Sequence, residues 1–207
     1  MPNKAFKSDS ATRASFASLT VWHALRHALT RRYNSEEAMS AKWVEIEQIL
    51  TDLLGDLTMA VTVLKDYESK PFMKESQNLA KRQCIWRLCT FSLVINCCKY
   101  VELNTKYGNE FNKLIPEHNK VRGQFNESVK KNKAINKLRN HCVAHVSDKS
   151  VHLSPIEVQK EIIEMFGGQH ADDFLNWVCP DNLESTNKTE SLVGVIWLLR
   201  DAVSSKL

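Results

Sequence analysis

Between Trp43 and Leu64 the apolar residues Trp43, Ile46, Leu50, Leu53, Leu57, Ala60 and Leu64 recur at spacings of 3-4-3-4-3-4. That period is one stripe of a long α-helix. Ile49, Leu54 and Val61 widen the stripe beyond a two-position coiled-coil seam, so the helix is expected to pack into a bundle, with Gly55 weakening it slightly. The rest of the chain has to supply its neighbours. With 6 Gly and 5 Pro among 207 residues, turns are too few for a sandwich or a barrel, and long helices are favoured throughout. At 43% hydrophobic and 25% charged residues, the chain is not of a disordered or collagen-like kind.

Upstream, Phe16, Leu19, Trp22, Leu25, Leu29 and Tyr33 sketch a shorter amphipathic helix that ends in Arg31 and Arg32, where cations suit the C-terminal dipole. Lys70-Pro71 breaks the chain after the long helix. From Glu75 to about Tyr107 a second long helix is predicted, apolar nearly all round from Cys84 to Tyr100, as the most buried member of a bundle should be. Pro116 opens another, with Val121, Phe125 and Val129 inward; Asn132 interrupts, and Ala134, Ile135, Leu138 and Cys142 carry a further helix. Ser154-Pro155-Ile156-Glu157 reads as a capping box with proline at the first helical position, and Gly167-Gly168 stops the helix it opens. Asn187-Lys188-Thr189-Glu190 opens a last helix through Leu192, Val195, Ile196 and Leu199. Trp43, Leu50, Leu53, Leu57, Trp86, Leu93 and Ile95 are the expected core. The fold class is all-α, an antiparallel multi-helix bundle. Its segments are a basic amphipathic helix over 1–34, a helical bundle over 35–150 and a C-terminal helical extension over 151–207 packed on the same domain.

Charge is uneven along the chain. Residues 1–34 carry six basic and one acidic side chain and residues 113–149 nine and three, whereas residues 150–207 carry four and nine. Two basic segments of this kind can draw in a polyanion. Cys84, Cys89, Cys97, Cys98, Cys142 and Cys179 form no CxxC pair, which argues for reduced thiols in a reducing compartment, and hence a cytoplasmic location, rather than a disulfide framework or a zinc ribbon. The longest apolar run, Cys84–Tyr100, is broken by Arg87, Asn96 and Lys99, so no membrane partner is expected.

The stretch Lys137-Leu138-Arg139-Asn140-His141-Cys142-Val143-Ala144-His145 carries the most chemistry. It resembles the HEPN superfamily, helical domains marked by an Arg, a polar residue directly after it, and a His after four to six intervening positions. Arg139, Asn140 and His145 fit. A looser likeness to abortive-infection and toxin-type members covers roughly 81–149, including the apolar helix from Trp86 to Leu103. The resemblance implies a HEPN-type bundle and a metal-independent endoribonuclease of a toxin or antiviral defence system. It would act as a homodimer on RNA, with an antitoxin or defence-system partner possible and no cofactor. In HEPN members neutralised by a nucleotidyltransferase antitoxin a Tyr follows the His by two; Ser147 stands there, so the resemblance does not carry that route to this chain.

The residue types suit the reaction. Cleaving RNA without a metal means activating a ribose 2′-hydroxyl against its own phosphate, and His titrates in the right range to move that proton. The growing negative charge needs a fixed cation with several donors, for which guanidinium is better shaped than ammonium. His145 would be acid or base, Arg139 the phosphate clamp and Asn140 an orienting partner, with Lys130, Lys131, Lys133 and Lys137 on flanking phosphates. Six residues of α-helix set Arg139 and His145 about 120° apart. A helix that distorts or ends near Ala144, a long Arg reaching round, or completion of each site by a second subunit across a two-fold axis would reconcile them, and the last is the favoured arrangement.

Other roles stay open for the same residues. Arg139 suits a surface or capping role, His145 a helix C-terminus, Asn140 a structural hydrogen bond, and the lysines a solvated face. His141 and His145 have zinc-ligand spacing but lack a third ligand in the sequence, so no metal is expected. The alternative function is a non-catalytic HEPN-like helical module that dimerises or binds RNA or nucleotide.

Overall fold

The structure, a computed structural model, describes residues 40–67, 70–143, 153–168 and 171–207. By its contacts the chain divides into 1–44 and 45–207, and the described residues from 45 onward make up the second unit. The amphipathic helix expected over Phe16–Tyr33 lies outside the described residues. Every regular element among the described residues is helical.

The striped helix is α1, residues 40–67, and Ile46, Leu50, Leu53, Leu57, Val61 and Leu64 of its stripe are sealed from solvent. Burying one such aliphatic side chain is worth about 1.5–3 kcal/mol, which is what holds a helix of modest propensity in place. Its two ends are pinned by polar ties. Near the start, Glu45 accepts from Lys106 at 3.0 Å and Glu47 from the Ser204 hydroxyl at 3.2 Å. Near the end, Lys65 donates to Asn176 Oδ1 at 2.6 Å, to the Cys179 carbonyl at 3.2 Å and to Asp181 at 2.7 Å.

A single turn, α2 (Pro71–Lys74), follows the Lys70-Pro71 break and leads into α3 (Leu79–Lys106). Only the second half of α3 is the buried helix its composition predicts. Leu93, Val94, Cys97, Cys98, Tyr100 and Leu103 are in the core, but Lys81 to Cys84, Arg87 and Leu88 are exposed and Trp86 and Ile95 are half-buried. Arg87 therefore needs no buried partner, whereas Asn96, 3% exposed, donates its amide to the Ser92 carbonyl at 2.9 Å. From residue 76 to 106 this is the one described helix long and apolar enough to cross a membrane. In this fold its buried half packs on α5 (Asn119–Lys131) and α6 (Lys133–Leu138) instead.

The turn from α3 to α5 runs through a short α4 (Gly108–Leu114), whose Phe111 is buried. Arg122 of α5 locks it. Its guanidinium donates to Asn104 at 2.7 Å, Asn112 at 2.9 Å and Asn119 at 3.2 Å, while its carbonyl accepts from the Tyr100 hydroxyl at 3.1 Å. Asn132 interrupts the chain between α5 and α6 as expected: its side chain caps α6 by accepting from the Ile135 amide and donates to the Met165 carbonyl at 3.0 Å. That second bond fixes the end of α7 (Pro155–Met165), which opens with the Ser154–Glu157 capping box and ends at Gly167 and Gly168, both at positive φ.

Two details differ from the sequence expectation. An additional helix, α8 (Ala171–Val178), forms where none was predicted, seated by Phe174 against Phe166 and by Trp177 stacked on Phe125 at 5.7 Å. The last helix, α9 (Leu192–Ser204), is capped by Ser191, while Lys188–Glu190 makes its own 3₁₀ turn capped by Asn187. Together α1 to α9 form an all-α helical bundle. The cysteines are unpaired, with Cys97, Cys98 and Cys179 buried and Cys84 exposed, and burial pushes the Cys97 thiol up to about 12.

Candidate functional site

The motif residues begin where α6 ends. After Leu138 the backbone leaves the α-helix and continues as a π-helical turn over Arg139–Val143. Leu138, Ile135 and Ala134 are buried, so α6 is held against α3 and α7 by its apolar side up to the residue before the motif. From Arg139 to Cys142 no large aliphatic side chain continues the stripe, and the ring of each turn widens from thirteen atoms to the i→i+5 closure. The helix is thus distorted from Arg139 to Val143, and Ala144, near which the sequence reading puts a distortion or an end, lies outside the described residues. His145 lies outside the described residues.

Arg139 reaches α3. Its guanidinium is paired with the Glu102 carboxylate, both side chains being about half-exposed, 41% and 55%. Cys98, one helical turn before Glu102, faces the same pair: burial raises its thiol pKa, the nearby Arg139 charge opposes that rise and Glu102 adds to it. Asn140 is exposed. His141 is half-buried, and its Nδ1 has no hydrogen-bond partner among the described residues. The Cys142 thiol is raised by burial, with a smaller contribution from Glu161 of α7.

Of the four lysines, two are engaged by carboxylates other than Glu102. Lys137 turns the other way and pairs with Glu161, a carboxylate 5% exposed on α7, and that bond, with Glu164 and Glu157 nearby, holds its ammonium above the ordinary lysine range. Lys130 pairs with Glu127 one turn earlier at 3.1 Å. Lys131 and Lys133 are exposed. Two residues apart in the chain, Lys137 and Arg139 therefore reach in different directions, one toward α7 and one toward α3. Among the described residues no three His, Cys, Asp or Glu side chains come together in a way that could hold a metal ion.

Beside the Arg139–Glu102 pair a cavity of about 320 Å³ opens between α1 and α3. Ile49, Leu53, Leu103 and Tyr107 give it apolar walls, Asp52, Lys99 and Lys106 sit among them, and Glu102 lines it too. The motif reading missed Glu102 as a site residue. Its partner lies 37 positions further along the chain, and the only local signal is a carboxylate at the end of an apolar run.

No family model matches the chain, and no curated protein does. A solved structure does: the integron cassette protein Vpc_cass2, described as a structure from the mobile metagenome of V. paracholerae, is 67% identical, with the match covering 80% of this chain and 97% of that one at a TM-score of 0.74.

Proposed function

This chain belongs to the family of the V. paracholerae integron cassette protein Vpc_cass2, and we propose that it is a metal-independent endoribonuclease of the HEPN type, acting in a toxin or antiviral defence system. The observation that carries the reading is the pose of Arg139: a half-exposed guanidinium at the start of a π-helical turn, already gripping an anionic group in Glu102. A cation that accepts a carboxylate on its open side accepts a phosphodiester by the same fork. Interruptions of this kind inside helices are frequent at functional sites.

In the reaction Arg139 clamps the phosphate, His145 exchanges the proton of a ribose or leaving oxygen, and Asn140 orients one of them. The 2′-oxygen attacks phosphorus in line, the bond to the 5′-oxygen breaks, and the products are a 2′,3′-cyclic phosphate and a 5′-hydroxyl. Two copies face each other through the motif helices, and Lys131 and Lys133, with Lys130, bind flanking phosphates. Carriage on a mobile cassette, as the relative's description has it, suits a defence or toxin role in the cytoplasm.

Purified protein incubated with total RNA in EDTA tests the reading. Cleavage is expected, with His145→Ala slower by on the order of 10²–10⁴-fold and Arg139→Lys strongly impaired because the planar fork is lost. RNA left intact, or activity that returns only with Mg²⁺, would sink it. The pairing of Lys137 with Glu161 thins the basic path and favours the second reading, a HEPN-like module that binds RNA or nucleotide without cutting; RNA retained but uncut in the same assay identifies that case.

A further inference from the structure

The cavity between α1 and α3 is close to the lower end of the size range of small-molecule sites. Two lysines and two carboxylates line it, and the lysines are further balanced by Asp56, 4.0 Å from Lys99, and Glu45, 3.0 Å from Lys106. A phosphate inside would meet as much repulsion as attraction. What suits such walls is a flat neutral group rich in donors and acceptors, laid on apolar surface with its edge toward Asp52 and Lys99. A nucleobase answers that description.

Glu102 stands between this cavity and Arg139. On α3, Cys98 shares its Arg139 flank, while Lys99, Leu103 and Lys106 lie on its cavity flank. Cleavage by a 2′-hydroxyl needs two proton transfers, one off the attacking oxygen and one onto the leaving oxygen, and the Arg139–His145 motif offers one imidazole. We infer that the cavity holds the nucleoside whose 2′-hydroxyl attacks, and that Glu102 at its edge receives the proton of that hydroxyl.

The inference rests on the ribonuclease reading. Without RNA the carboxylate sits on Arg139. When a phosphodiester takes the guanidinium, an exposed ion pair of this kind is readily displaced, and Glu102 is left facing the ribose. The 2′-O–H proton passes to the carboxylate and the new P–O2′ bond forms as the P–O5′ bond breaks. His145 then gives a proton to the departing 5′-oxygen.

The test uses the full chain and a short single-stranded RNA in EDTA. Glu102→Gln is expected to lower kcat on the order of 10²–10⁴-fold while KM stays level or falls, because removing a negative charge beside Arg139 favours phosphate. Unchanged or faster cleavage by Glu102→Gln would show that Glu102 only competes for Arg139, overturning this role and leaving the ribonuclease reading intact. RNA uncut by the unaltered protein overturns both. In calorimetric titrations, nucleoside 3′-monophosphates are expected to bind about tenfold or more tighter than inorganic phosphate, and the exposed rim changes Asp52→Ala with Lys99→Ala to erase that margin. Mononucleotides that bind no better than inorganic phosphate overturn the assignment of the cavity, whatever the cleavage assay gives.

Discussion

Gly194, the third residue of α9, is the one glycine at which an added Cβ would meet other atoms within 4 Å. A Cβ built on it would lie 2.3 Å from the Lys188 carbonyl oxygen, 2.8 Å from the Lys188 Cα and 2.8 Å from the Ser191 hydroxyl. The first two are backbone atoms of the preceding turn and cannot swing aside. For Gly194→Ala, the start of α9 has to back away from the Lys188–Glu190 turn by about 1 Å to restore ordinary contact, an overpacking strain of about 1–3 kcal/mol. The same movement stretches the Ser191 cap, whose hydroxyl accepts from the Gly194 amide at 3.1 Å in a site 1% exposed, adding about 1 kcal/mol. Helix propensity gives back about 1 kcal/mol at most. The net is a loss of about 2 kcal/mol. Gly55 in α1 is the control, since nothing lies within 4 Å of its Cβ, and Gly55→Ala should stabilise by about 0.5–1 kcal/mol. Urea unfolding followed by circular dichroism reads both, and with a slope of about 2 kcal/mol per molar the midpoint should fall by about 1 M for Gly194→Ala and rise slightly for Gly55→Ala. A Gly194→Ala midpoint at or above that of the unaltered protein would refute the close approach of α9 to its preceding turn.

Arg122→Lys should cost about 2 kcal/mol of stability, because one ammonium cannot reach Asn104, Asn112 and Asn119 together; thermal melting checks it. Lys137→Met should lower the melting temperature by several degrees, since it strips the counter-ion from buried Glu161. Hydrogen bonds from the Ser154 amide and hydroxyl hold the Glu157 carboxyl below the usual carboxylate range, so its contribution is present above the unfolded carboxylate pKa and is lost as pH falls through the lower folded value. Glu157→Gln should therefore be less stable than the parent at neutral pH, and the difference should close in acid; a gap independent of pH would speak against it. A thiol reagent at neutral pH should label exposed Cys84 first and reach Cys97 only after unfolding, as mass spectrometry of the modified peptides would show.

What the sequence made legible is what depends on near neighbours in the chain. The α1 stripe, the capping box at Ser154 and the Asn132 break are each written within a few residues, and each is found where it was expected. α8 is amphipathic but only eight residues long, too short to stand out as a helix in the sequence, and it is seated by Phe166 and Phe125, which lie outside it. The exposed first half of α3 was misjudged for a related reason: apolar composition marks a helix as able to be buried, but neighbours decide how much of it is. At the site, the sequence singles out Arg139 and Asn140 by their spacing to His145, which lies outside the described residues. The engagement of Lys137 by Glu161 and of Arg139 by Glu102 was not, since each pair joins residues tens of positions apart.

A π turn following directly on α6 has the effect of an insertion. Up to Leu138 the angular position of each side chain is dictated by core packing; over Arg139–Val143 the wider turn takes one more residue to close than an α-helical turn would. Removing one residue within Arg139–Val143 would let this stretch close as plain α-helix. The two stretches thus answer to different constraints: α6 has to keep its register with α3 and α7, whereas the turn only has to keep its own length. A homologue can exchange one apolar residue of α6 for another of similar volume at little cost, whereas a single deletion within the turn would remove the widened ring that Arg139 opens.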